Sequence, residues 1–168
     1  MKKIVAIAAL AILVFATPSN LTVAGIKGNA EEYHHALNLC YQHTADHAKA
    51  LFSQVVKGEF NLEIARDYVD KIGSDLDHAR VYHAMVHKTY SEADNKTISE
   101  DHLVILGGQT TAVTAMASLK AELEKSKPDM AAVKTLATVI FDGATKAVNA
   151  HLDAMKKLGI PEATSPAS

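Results

Sequence analysis

The chain has no tryptophan, one cysteine, four prolines and nine aromatic residues among 168. A single cysteine excludes an internal disulfide framework, so stability must come from a packed core. Charge of one sign is also lacking: 17 Lys and Arg stand against 19 Asp and Glu, a net of −2. That balance excludes a strongly basic nucleic-acid binder. No run of alternating apolar and polar residues marks a strand. No Gly-rich phosphate loop, Ser/His/Asp set or His-Glu-x-x-His pattern marks a familiar enzyme. What the chain has is 48% hydrophobic residues, enough to bury one core, and nine histidines.

The N-terminus carries Lys2 and Lys3, the apolar run Ile4 to Ala16, a break at Thr17-Pro18-Ser19-Asn20, and small residues at Thr22-Val23-Ala24. This is the layout of a secretory signal peptide, expected to be cleaved after residue 24. The apolar run is shorter than the ~20 residues of a typical membrane span. No later segment is apolar enough to span, so none is expected after processing. Loss of Lys2 and Lys3 takes the net charge from −2 to −4. The expected location is periplasmic or secreted, usually an oxidising setting. There Cys40 is buried, a ligand, or, if exposed, the bridge of a disulfide-linked homodimer.

Four long helical patterns follow. The first runs from about Asn29 to Lys57 and is stopped by Gly58. The second starts after Asn61, an N-cap residue, and runs to about Ser91 with the seam Leu62, Ala65, Val69, Ile72, Leu76, Ala79, His83, Val86, Tyr90. Ser91 to Thr97 is polar and reads as a loop. The third helix runs from about Ser99 to Lys125, with Glu100 and Asp101 at its positive end. The fourth opens with Pro128 and Asp129 and ends near Leu158, before Gly159 and Pro161. Short connections between such helices predict an all-α, up-down-up-down antiparallel four-helix bundle over residues 25–160, with a flexible tail over 161–168.

In an antiparallel bundle, residues equally far from a turn share a level. His34 and His83 are equidistant from the turn at Gly58 and Glu59. His87 and His102 are equidistant from the connection at Asp94 and Asn95. His151 lies within one residue of the distance that separates His102 from the third turn, at Lys127. The four helices thus bring His34, His83, His87, His102 and His151 to one end. His34, His83 and His151 lie on inward seams. His87 follows His83 by one turn, His102 lies at a seam edge, and His35 faces solvent. Buried imidazoles without partners are costly, and a metal ion resolves that cost. The alternative is a set of partly solvated histidines hydrogen-bonded to Tyr33, Tyr82, Tyr90, Glu31 or Asp101.

A second group, Cys40, His43 and His47, shares one side of the first helix. The same level counting places it beside Asp70, Asp75, Asp77 and His78, a possible second site for a soft or borderline metal. Gly107 and Gly108 interrupt the third helix opposite Gly143. They allow close helix packing, a space for a flat cofactor such as haem, or a helical bulge.

With this pattern over residues 29–158, the chain resembles in architecture the exported four-helix-bundle metalloproteins of the cytochrome c′ and hemerythrin kinds. That resemblance implies a metal or haem in the bundle core. It does not extend to motifs. Cys40 is not part of a Cys-x-x-Cys-His haem attachment. The seams carry neither the bridging carboxylates of a di-iron centre nor Glu-x-x-His pairs. The expected function is therefore binding of copper or zinc through imidazole nitrogens, for carriage, buffering or sensing rather than catalysis. A non-covalent haem-b electron carrier with axial histidines and a partner-binding structural bundle are the alternatives.

Overall fold

The computed structural model describes residues 30–162. The expected signal peptide and the tail beyond residue 162 lie outside the described residues. Among the described residues all regular secondary structure is helical: α1 (Ala30–Lys57), α2 (Leu62–Thr89), α3 (Glu92–Thr97), α4 (Ser99–Leu123) and α5 (Met130–Lys157). None of these helices is long and apolar enough to cross a membrane.

The helix ends follow from local chemistry. Gly58 takes a positive φ of 71° after α1, a conformation that costs a residue without Cβ little. The Asn61 side chain accepts from the backbone N–H of Glu63 and Ile64 and so starts α2. Asp129 does the same for α5, so Pro128 lies ahead of the helix rather than within its first turn. Glu122, near the end of α4, accepts from the Asp129 backbone N–H at 2.7 Å and ties the two helices across their turn.

The segment expected to be a polar loop, Ser91 to Thr97, is largely helical. Ser91 and Asp94 form a capping box: the Ser91 hydroxyl accepts from the Asp94 N–H, and the Asp94 carboxylate accepts from the Ser91 N–H. Two orphan donors are satisfied within four residues, which supports a helix of one to two turns despite its polarity.

The seams are buried as the sequence pattern requires. Leu37, Tyr41, Ala48 and Leu51 of α1 are buried with Ile72 and Leu76 of α2, Leu119 of α4, and Val133, Ala137 and Ile140 of α5. Each large apolar side chain contributes about 1.5–3 kcal/mol by leaving water. α1 packs on α2 and α5, and α4 packs on α5 and α2, so the four long helices form a ring around a common core. A second core cluster of Leu37, Cys40, Tyr41, Ala79, Val86, Ile105, Ala147 and Ala150 adjoins the helix turns that carry the histidines.

The glycines of α4 have a packing role. A Cβ at Gly108 would lie 2.5 Å from the Gly143 carbonyl oxygen, and one at Gly143 would lie 2.8 Å from the Gly108 carbonyl oxygen. The two backbones therefore touch, so Gly108 and Gly143 serve close helix packing, and an open groove lined by Thr111, Val139 and Asp142 runs beside them. Gly107 points to open space, and α4 continues through both residues.

Candidate metal centre

α2 supplies His83 and His87 one turn apart, and α4 supplies His102 in its first turn. One ligating atom from each of the three lies within 4.8 Å of the other two. Among the described residues this is the set of three or more His, Cys, Asp or Glu gathered so closely. His87 Nε2 and His102 Nδ1 are 2.7 Å apart. The His83 ring sits with its centroid 4.8 Å from that of His87 and 5.0 Å from that of His102. Nitrogens around one tetrahedral ion at 2.0–2.1 Å would be about 3.3 Å apart. The three donors thus stand close to the spacing an ion needs.

His34 and His151 form an adjoining pair. Both are fully or almost fully buried, and His34 Nδ1 lies 3.0 Å from His151 Nε2. Their rings are close to parallel, 9° apart, with centroids 5.2 Å apart. The Tyr90 hydroxyl lies 3.4 Å from the other nitrogen of His34, and the Tyr90 ring packs edge-on against His87. Tyr90 therefore touches both the pair and the triad. Neither His34 nor His151 belongs to the set of three within 4.8 Å. Two nitrogens at this end are buried without a partner, Nε2 of His83 and Nδ1 of His151.

Burial holds these rings neutral. It pulls His83 down to about 3, with the neighbouring His87 and His102 adding to the effect. It pulls His151 down to about 3 and His34 to about 4, with other histidines again contributing. His87 and His102 are lowered by the same cause, and for His87 a hydrogen bond to the Asn95 side chain acts in the opposite direction. An imidazolium has no lone pair to give a metal, so five neutral imidazoles at pH 7 form a donor set ready for an ion. Asn95 lies in the stretch read as a loop. The Ser91-Asp94 capping box in the sequence is the signal that could have placed it on a helix.

The second group is arranged differently. His47 Nδ1 lies 3.2 Å from Asp75 Oδ2, and the His43 ring packs 6.3 Å from that of His47. Asp70 instead faces Lys120, Asp77 pairs with Arg80, and His78 meets Ser74. Cys40 is buried, and burial followed by the nearby Asp75 pushes its thiol up to about 11. Of the second group, then, the structure joins His47 to Asp75 and does not gather Cys40, His43, His47 and His78 into a close set. His35, expected at the solvent side, is half-buried and lies 3.5 Å from Glu31. A cavity of about 360 Å³ between α2 and α4 is lined by Val69, Gly73, Leu76 and Met116 together with Asp70 and Asp77 of the second group, and by none of the nine histidines.

Compared with known protein families, curated proteins and solved structures, the chain matches none.

Proposed function

We propose that the protein is an exported bundle that binds one transition-metal ion at His83, His87 and His102. The observation that carries this reading is the 4.8 Å set of three neutral imidazoles drawn from two helices. An all-nitrogen donor set suits Cu(II) or Zn(II); Ca and Mg want oxygen. Copper stands first by affinity order and zinc next by its tolerance of tetrahedral geometry. Three protein donors leave one position of a tetrahedral ion for a further ligand. Carriage, buffering or sensing fits such a site, and the up-down-up-down order of the four long helices brings its histidines to one end. The N-terminal segment read as a signal peptide supports a periplasmic or secreted location.

Calorimetric titration of untagged protein with Cu(II) and with Zn(II) tests the reading. One ion per chain is expected. His87→Ala should abolish tight binding and His35→Ala should leave it unchanged. Absence of binding by the wild type, or equal affinity in the two variants, would defeat it.

A further inference from the structure

The histidines at the end of the bundle do not all have the same chemistry open to them. Each neutral imidazole has one N–H and one bare nitrogen. His34 uses both nitrogens within the protein, one toward His151 Nε2 at 3.0 Å and one toward the Tyr90 hydroxyl at 3.4 Å. His151 uses only Nε2, and its Nδ1 is buried with no partner. His83 Nε2 is buried and unpartnered as well. Two orphan nitrogens at one end of one core are costly unless something occupies them.

The chain Tyr90, His34, His151 can be filled with protons in two directions. In one, Tyr90 donates to His34, His34 Nδ1–H donates to His151 Nε2, and His151 Nδ1–H points at nothing. In the other, His151 Nε2–H donates to His34 Nδ1, His34 Nε2–H donates to the Tyr90 oxygen, and His151 Nδ1 is bare. Only the second leaves a lone pair on His151 for a cation. A ligating histidine commonly donates its other N–H to a fixed acceptor, which sets its tautomer and ring direction.

We infer that His151 Nδ1 is the fourth donor to the ion held by His83, His87 and His102, and that His34 and Tyr90 are positioning residues that hold His151 in the ligating tautomer. This rests on the metal reading above. It separates the five histidines into four ligands and one residue that binds no metal. His151 lies outside the 4.8 Å set, so the ion draws its ring inward on binding. Tyr90 links the two groups, with its hydroxyl 3.4 Å from His34 Nε2 and its ring 5.4 Å from that of His87.

The test uses Cu(II) and the full chain. Nitrogen hyperfine structure in the electron paramagnetic resonance spectrum should report four nitrogens in the wild type and three in His151→Ala. Tyr90→Phe keeps the ring that packs on His34 and His87 and removes only the acceptor. It should weaken copper binding about ten- to a hundredfold. The same substitution made in His151→Ala should change affinity less than twofold, an outcome that a merely structural role for Tyr90 would not give. Should His151→Ala fail to fold by circular dichroism, the wild-type nitrogen count still decides. Three nitrogens in the wild type, or an equal Tyr90→Phe effect in both backgrounds, would overturn the inference while leaving the triad in place. No copper bound to the wild type would remove both.

Discussion

His87 Nε2 and His102 Nδ1 approach to 2.7 Å from two different helices, with the short helix α3 between them in the chain. A tight capping box shapes that link, and α3 passes into α4 with the Ile98 carbonyl already accepting from the His102 N–H. The approach of the two imidazoles is therefore tied to how the α2–α4 connection is folded.

The first prediction concerns acid. His34, His83 and His151 are held near 4, 3 and 3 in the folded chain, against about 6.5 unfolded. Between these values the unfolded state binds protons that the folded state refuses, so stability rises with pH there. The metal-free protein should hold full stability above about pH 6.5 and lose it progressively as pH falls toward 4. The loss should be of the order of 1 kcal/mol per histidine per pH unit. Urea midpoints measured from pH 7.5 to 4.5 check this, and a flat profile would contradict it.

Metal should act in the opposite sense. An ion that binds only the folded chain adds about 2.7 kcal/mol at a free concentration 100-fold above Kd. For a domain of this size that is a rise in Tm of several degrees. Thermal scans with and without Zn(II) at pH 7.5 should show the rise, and a chelator should reverse it. At pH 5 the rise should persist more than free imidazoles would allow, because burial keeps His83 neutral there and lowers His87 and His102 as well.

The glycine contact gives a prediction on stability alone. Gly108→Ala drives a methyl to 2.5 Å from the Gly143 carbonyl oxygen, a backbone atom that cannot move aside cheaply. A cost of about 1–3 kcal/mol is expected from overpacking. Gly107→Ala meets nothing within 4 Å and should stabilise α4 by about 1 kcal/mol. Chemical denaturation of the two variants should therefore move in opposite directions from the wild type.

Tyr41 is fully buried, and its hydroxyl has no partner. Tyr41→Phe keeps the ring and removes a desolvated hydroxyl whose cost is about 1–3 kcal/mol. The variant should be at least as stable as the wild type by the same denaturation measurement. A loss of more than about 1 kcal/mol would show that the hydroxyl is satisfied in solution.

Much of the fold was legible because helical periodicity is a local property. The seam of α2 from Ala65 to Val86 is buried at each expected position, including His83. Gly58, Asn61 and Asp129 marked helix ends because each satisfies or replaces a specific orphan backbone group. The stretch from Ser91 to Thr97 is helical against the expectation from its polar composition, because its structure depends on two reciprocal hydrogen bonds. Level counting from the turns placed five histidines at one end, and the structure separates them into the His83, His87, His102 set and the His34–His151 pair.

Sequence alone determined that the chain makes long amphipathic helices and that His34, His83 and His151 face inward. These depend on spacing along one helix, which a 3.6-residue period fixes. Only tertiary structure decided which imidazoles meet, that Gly108 and Gly143 bring two backbones into contact, and that Asp75 joins His47 while Asp70 turns to Lys120. Those outcomes depend on the rotation of each helix about its axis and on side-chain rotamers. A nitrogen displaced by a few ångströms is a ligand in one case and a hydrogen-bond partner in the other, and one-dimensional spacing carries no information at that scale.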